Sequence, residues 1–335
     1  LRYTDRDFSN KRVLITGGAG FIGANLAFYF QERHPEAEVI VFDKFRSGKK
    51  FPNGNLKSLG HYKNLLGFDG EVIAGDINSK EDLERVFRYK FDYIFHEAAI
   101  SDTTVNNQKI VMDTNLNAFK DILEYARRDG AKVIYASSGA TYGNAESPQR
   151  VGREEPANIY GFSKLMMDNL TRKYLEKFPD MHIIGLRYFN VYGAREFFKG
   201  KTSSMVLQFG HQILDGKAPR LFEGSDRILR DFIYIEDVIQ ANIKAIDGVA
   251  GIYNVGTGKA RSFQDIADIL QKKLGTDLGN EYIPNPYIGQ YQFHTEADIS
   301  ETQDKLGYSP NFSLEDGIES YIEEIKRVHK EEMRL

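Results

Sequence analysis

R-V-L-I-T-G-G-A-G-F-I-G, from Arg12 to Gly23, is the stretch on which the fold turns. Val13, Leu14 and Ile15 form a short apolar run, which predicts a strand buried on both faces. Glycines follow at Gly17, Gly20 and Gly23, and a helical pattern covers Ala24 to Phe30. In such a strand–turn–helix the first glycine permits the tight turn and the second lets the backbone approach a pyrophosphate. The third lets the helix pack closely on the strand. The phosphates then face a helix N-terminus, with its free N–H groups and positive dipole end. Phe21 and Ile22, inside the turn, join the glycines as candidate cofactor contacts. A glycine triplet alone carries little weight. Here a second strand, Glu38 to Phe42, ends in Asp43, 20 residues after Gly23, where an acidic residue reaches an adenosine ribose.

Beyond Asp43 the loop K-F-R-S-G-K-K carries Lys44, Arg46, Lys49 and Lys50. These cations stand where a ribose 2′-phosphate would need neutralising, which tilts the expected cofactor towards NADP. The Asp43 carboxylate would repel that phosphate, so NAD stays open. The next strand, Gly70 to Ala74, ends at Gly75-Asp76-Ile77, where Asp76 could accept a hydrogen bond from an adenine amine and Ile77 lies beside it. Ser79 to Arg88 reads as a capped helix, Tyr93 to Phe95 as a strand before His96-Glu97-Ala98-Ala99, and Asn115 falls on a helix. Lys132 to Ala136 is a fifth strand that delivers Ser137 and Ser138. Alternation sustained for about 190 residues predicts an α/β protein, a Rossmann-type doubly wound parallel sheet with ligands at the carboxyl ends of its strands.

Composition narrows the class. The 335 residues are 41% hydrophobic and 27% charged, an ordinary globular balance. A net charge of −4 and a pI near 6.1 argue against a nucleic-acid binder. There is no cysteine, which excludes disulfides, thiol catalysis and zinc–thiolate sites. The seven histidines show no H-x-x-x-H pairing, so no metal site is expected, and His96 reads as structural. No run of 18 apolar residues and no signal-like N-terminus are present, so no membrane segment and a cytoplasmic location are expected. The first residue is Leu1, which suggests that the sequence starts inside its gene product.

The chemistry gathers around the fifth and sixth strands. Ser138 lies in A-S-S-G-A-T-Y-G, just past a strand's carboxyl end, and Tyr160 and Lys164 lie in N-I-Y-G-F-S-K at the start of a helix. Their i,i+4 spacing puts phenol and amine on one helical face. A phenol is a weak base at neutral pH, and a neighbouring ammonium is expected to lower its pKa and ready it to accept a proton. Ser138 could hydrogen-bond the same substrate oxygen.

The glycine turn, Ser138 and Tyr160-x-x-x-Lys164 together resemble the extended short-chain dehydrogenase/reductase family of nucleotide-sugar enzymes, over essentially the whole chain. Further runs carry the likeness: L-R-Y-F-N-V-Y-G-A-R-E (Leu186 to Glu196), L-F-E-G-S (Leu221 to Ser225), R-D-F-I-Y-I-E-D-V (Arg230 to Val238) and Q-Y-Q-F-H-T-E-A-D (Gln290 to Asp298). The segment Phe197 to Gly200 and the Q-Y-Q run are most similar to the branch acting on ADP-linked heptoses for lipopolysaccharide. That likeness implies an NADP-dependent epimerase, an isomerase taking ADP-heptose and working as a homo-oligomer. It implies cofactor contacts at Asp43, Lys44, Arg46, Lys50, Asp76 and Asn115, with Lys164 on the nicotinamide ribose. It also makes Lys199 a second acid/base opposite Tyr160, and places Asn190, Arg230 and Tyr291 on the nucleotide diphosphate or sugar. Lys201, an apparent insertion, leaves two lysines competing for the Lys199 role.

Past residue 190 the alternation weakens. Met205 to Leu214 reads as a helix, while Arg230 to Val238 and Gly251 to Val255 are expected to rejoin the main sheet. Ser262-x-x-Asp265 and Ser313-x-x-Asp316 predict helix caps. The expected division is a cofactor domain of 1–188 plus about 228–258, and a substrate domain of about 189–227 plus 259–335, with the site between them. A UDP-hexose 4-epimerase is the nearest rival. A 4,6-dehydratase would want an acidic pair where Gly139, Ala140 and Thr141 stand, and a redox-sensing regulator without turnover has no need of Tyr160 and Lys164.

Overall fold

The computed structural model describes residues 1–285 and 293–332. Strand β1 (Arg12–Thr16) runs into α1 (Phe21–Arg33), followed by β2 (Glu38–Asp43), β3 (Glu71–Ala74) and α2 (Lys80–Val86). Next come β4 (Tyr93–His96), α3 (Gln108–Met112), α4 (Ala118–Asp129), β5 (Lys132–Ser138), α5 (Ile159–Lys177), β6 (Ile183–Tyr188) and β7 (Asn190–Tyr192). The remaining chain forms α6 (Met205–Leu214), β8 (Arg220–Phe222), β9 (Leu229–Tyr234), α7 (Ile235–Ala245), β10 (Gly251–Val255) and β11 (Ala260–Ser262). It ends with α8 (Phe263–Leu274), β12 (Glu281–Ile283), α9 (Ser300–Leu306) and α10 (Leu314–Glu332).

Seven strands in the order β10-β6-β5-β4-β1-β2-β3 form one sheet, every neighbouring pair parallel. Successive strand residues point to opposite faces. Val13 and Ile15 therefore enter the core shared with α1 and α7, while Leu14 enters the one shared with α2 and α4. Both faces are covered, which is why β1 reads as an unbroken apolar run. The chain reverses direction across the sheet between β1 and β4, so the loops at their carboxyl ends diverge and open a crevice. Among the described residues no helix is long and apolar enough to cross a membrane.

Gly251–Val255 does join the main sheet beside β6, but Arg230 to Val238 does not. Its first half is β9, in a three-stranded sheet with β7 and β11, and from Ile235 the chain is helical. Ile235, Val238, Ile239 and Ile243 are buried at helical spacing, and the buried Asp237 accepts the N–H groups of Asn311 (2.8 Å) and Phe312 (3.1 Å). The reciprocal caps stand as expected: Ser262 with Asp265 on α8, and Ser313 with Asp316 on α10.

Candidate active site

A cleft of about 330 Å³ opens at the carboxyl ends of the central strands. Gly17, Gly20, Phe21, Ile22 and Gly23 form its floor, where β1 turns into α1. Gly23 packs against the turn so closely that a Cβ would lie 2.4 Å from the Gly17 carbonyl oxygen. Helix α1 begins at Gly20 with no side-chain cap and no acidic residue in its first turn. Its N–H groups and positive dipole end are thus left to an anion, as a pyrophosphate requires.

At one end lie Asp43, Lys44, Asp76 and Ile77. The Asp43 carboxylate is buried and accepts N–H groups of Ala19 (3.0 Å) and Phe45 (2.7 Å), so it braces the glycine turn. Burial raises its pKa, and the two backbone N–H groups oppose that shift. Lys44 is exposed and lies 3.4 Å from Asp76. Of the other cations expected here, Lys50 is exposed and does not line the cleft. Arg46 turns away, donating to the carbonyls of Phe198 (2.5 Å) and Leu59 (3.2 Å). Lys57 lines the cleft instead. Sequence reading passed over it because it stands beyond the F-P-N-G-N turn, which folds back so that the Lys57 N–H meets the Lys49 carbonyl at 2.9 Å.

Ser138, Tyr160, Lys164 and Lys199 also line the cleft. Asn158 caps α5, accepting the Gly161 N–H at 2.8 Å. Gly161 lies so near the turn after β5 that a Cβ would come 2.3 Å from the Ala140 carbonyl oxygen. That close approach brings the Tyr160 hydroxyl within hydrogen-bonding reach of Ser138. Lys164 Nζ donates to the Ala136 carbonyl at 2.6 Å and stands 5.9 Å from the centre of the Tyr160 ring.

The expected electrostatics are partly overturned. Burial holds the Tyr160 phenol above its ordinary value, the Ser138 hydrogen bond opposing this and the Glu97 charge adding to it. Burial also brings Lys164 down to about 8, against the attraction of Glu97 and Asp168. The desolvation of the site, which a sequence does not display, sets the direction of the phenol's shift. Glu97 itself was not singled out from the sequence, although a carboxylate at the end of β4 was the available signal. It lines the cleft and burial pushes it up to about 7, opposed by the Tyr188 hydrogen bond and the Lys164 charge. His96 beside it is fully buried, 2.7 Å from Thr16 Oγ1, and burial lowers it to about 3, so it is neutral.

Lys199 sits on the helical turn Phe197–Thr202, its Nζ 5.3 Å from the centre of the Phe21 ring. Burial lowers its pKa, and the nearby Glu196 carboxylate resists that. Lys201 is exposed and does not line the cleft, which separates the two lysines.

Three further candidates lie outside the cleft lining. Asn115 is fully buried, its amide exchanging hydrogen bonds with the Ile100 backbone (2.8 and 3.0 Å) and donating to Ser163 (2.9 Å). It therefore props the loop after β4 rather than facing a cofactor. Asn190 is exposed on β7, and Arg230 on β9 donates to the Leu229 carbonyl at 2.7 Å. Tyr291 lies outside the described residues.

The NAD dependent epimerase/dehydratase family pattern matches residues 13–256. The ADP-L-glycero-D-manno-heptose-6-epimerase of Helicobacter pylori is 52% identical, with a TM-score of 0.89 over 97% of this chain and 99% of that one. UDP-glucose 4-epimerase of Thermotoga maritima is 27% identical, with a TM-score of 0.84 over 95% of this chain and 99% of that one. UDP-glucuronic acid 4-epimerase of Bacillus cereus, solved in complex with NAD, is 26% identical, with a TM-score of 0.80 over 95% and 99%. A glycine turn on a doubly wound parallel sheet, with Ser138, Tyr160 and Lys164 at its carboxyl edge, agrees with that match, and the chain belongs to the NAD dependent epimerase/dehydratase family.

Proposed function

We propose that this protein is an isomerase that inverts C6″ of ADP-D-glycero-D-manno-heptose, supplying the L-glycero sugar nucleotide for the lipopolysaccharide inner core. The observation that carries this reading is 52% identity to the Helicobacter pylori heptose epimerase across 97% of the chain. The inverted carbon bears only hydrogen, hydroxyl and carbon, so its C–H is not acidic and direct deprotonation is closed. A nicotinamide dinucleotide supplies the hydride acceptor and donor in such a site. Tyr160 takes the hydroxyl proton as the ketone forms, Ser138 hydrogen-bonds the same oxygen, and Lys164 holds positive charge beside the phenol. Lys199 would handle the proton on the second face of the turned sugar.

The uncapped start of α1 fits a dinucleotide pyrophosphate. For NADP over NAD, the support is Lys44 beside Asp76 at the adenosine end and Lys57 elsewhere in the cleft lining, with the Asp43 carboxylate already occupied by backbone N–H groups. The domain division is proposed as 1–188 plus about 228–258 against about 189–227 plus 259–335. β10 in the main sheet supports it, while β9 sits on the seam. A homo-oligomer in the cytoplasm completes the reading.

A UDP-hexose 4-epimerase would use Ser138, Tyr160 and Lys164 equally, and the 27% identity to the Thermotoga maritima enzyme keeps it as the second reading. Proton NMR of ADP-D-glycero-D-manno-heptose with the purified protein decides. Appearance of the L-glycero isomer is expected. Turnover of UDP-galactose alone would transfer the assignment to the 4-epimerase, and turnover of neither would leave a dinucleotide-binding regulator.

A further inference from the structure

Arg46 follows the β2 end of the cleft, whereas Phe198, next to Lys199, stands 152 residues later, yet the two are joined. Arg46 Nη2 donates to the Phe198 carbonyl at 2.5 Å and to the Leu59 carbonyl at 3.2 Å, with its guanidinium carbon 5.6 Å from the centre of the Phe198 ring. The same Phe198 ring lies flat on His61, with centres 3.8 Å apart and planes within 1°. His61 is in turn tied to the glycine turn, its N–H donating to the Ala19 carbonyl at 3.0 Å. Its Nδ1 accepts the Lys63 N–H at 3.2 Å, which fixes the orientation of the ring against Phe198, and burial lowers its pKa. The far side of the Lys199 turn is held by the fully buried Glu196, which accepts from Gly193 N (3.1 Å), Ser204 N (2.6 Å) and Ser204 Oγ (2.7 Å).

The geometry points to Arg46 and His61 as positioning residues that clamp the Lys199 turn onto the dinucleotide-binding loop, so that Lys199 enters the cleft at a set depth above Phe21. This rests on the proposed role of Lys199 as the second proton-handling group. A long flexible lysine on a polar turn is a poor acid or base unless its backbone is held, since a misplacement of roughly 1 Å can reduce a rate about a hundredfold. Phe198, adjacent to Lys199, is the residue that the clamp grips. The arrangement also explains why a cation in this basic loop faces away from the cleft: its guanidinium closes a backbone carbonyl and covers an aromatic ring, work that a planar fork performs and a lysine does not.

The test compares Arg46→Met, His61→Ala and Lys199→Met with the parent. Affinity for NADP and for NAD is measured by calorimetry, steady-state turnover by NMR, and formation of reduced nicotinamide in single turnovers begun separately from each C6″ epimer. Arg46→Met and His61→Ala are expected to keep both dinucleotide affinities within about threefold and lose about ten- to a hundredfold in kcat, with KM little changed. Their loss should fall on the same epimer that Lys199→Met slows most. A selective loss of NADP affinity in Arg46→Met would overturn the proposal in favour of a 2′-phosphate ligand. Equal slowing from both epimers in both variants would overturn it in favour of general damage. Full turnover by Lys199→Met would instead remove the role of Lys199 on which the clamp depends, and that result is read independently of the other two variants.

Discussion

Glu97 accepts a hydrogen bond from the Tyr188 hydroxyl at 3.0 Å, while its other carboxylate oxygen is buried with no hydrogen-bond partner among the described residues. Tyr188 is steadied from behind by Asn242, whose amide donates to its oxygen at 2.8 Å. A carboxylate held in this way is a charge that the cleft disfavours, and its titration links the reaction end of the site to stability.

Burial lifts the Glu97 carboxyl from 4.5 to about 7, so the native protein keeps a proton that the unfolded chain releases. Stability contributed by this group is full below the unfolded value and falls as pH rises towards the folded one. Glu97→Gln keeps the acceptor for Tyr188 but cannot ionise. Its stability relative to the parent is expected to rise by up to about 3 kcal/mol between about pH 4.5 and about pH 7, then level off. Urea unfolding of the dinucleotide-free proteins on either side of that window is the measurement, and an unchanged difference would contradict it.

Tyr160→Phe removes the phenolic proton and leaves the ring. Turnover is expected to fall by about two to four orders of magnitude, with dinucleotide affinity within a few-fold of the parent. Ser138→Ala should be milder, since it removes one hydrogen bond to the same oxygen. NMR turnover and calorimetry separate the chemical loss from lost binding.

Lys164, brought down to about 8 by burial, carries its charge below that pH and loses it above. Because that charge favours the phenolate, kcat/KM is expected to decline as pH rises through about 8. In Lys164→Met this limb should vanish from a profile that is low throughout. A decline that persists in the variant would assign it to another group.

Lys44→Ala is expected to weaken NADP by about three- to tenfold while leaving NAD nearly unchanged, the gap narrowing as salt is raised. Parallel calorimetric titrations with both dinucleotides read this directly. Equal effects on both would place the 2′-position elsewhere.

On the same helix as Tyr160 and Lys164, Asp168 accepts from Arg187 (2.8 Å), Tyr135 (2.7 Å) and Ser137 (3.0 Å), with Asp168 and Arg187 both fully buried. Asp168→Ala takes from the buried Arg187 guanidinium one of its two carboxylates, Glu154 remaining 2.7 Å away, and is expected to lose about 3 kcal/mol in urea unfolding. Replacing both partners by apolar residues of similar volume should recover part of that loss.

Much is legible in the sequence because it depends on local chemistry. The glycine spacing at Gly17, Gly20 and Gly23 reports a tight turn into a helix, and apolar runs such as Val13 to Ile15 report strands covered on both faces. Tyr160 and Lys164 lie four residues apart on one helix, so their shared face was legible too. The segment from Arg230 to Val238 was misread because Phe232 to Ile235 is apolar under either period, and only the packing of Ile239 and Ile243 separates helix from strand.

The sequence by itself determined the strand–turn–helix frame, the doubly wound parallel sheet, and the residue types at its carboxyl edge, since each is read from apolar periodicity, glycine spacing and the alternation of strands with helices along the chain. Only the tertiary structure decided which of several equivalent cations face the cleft. Arg46 and Lys50 looked as suitable as Lys44 in the sequence, yet Arg46 closes a carbonyl 152 residues away and Lys57 lines the cleft. It also decided the order of acidities at the reaction end, because desolvation depends on what every other element places around a group. No spacing along the chain records that.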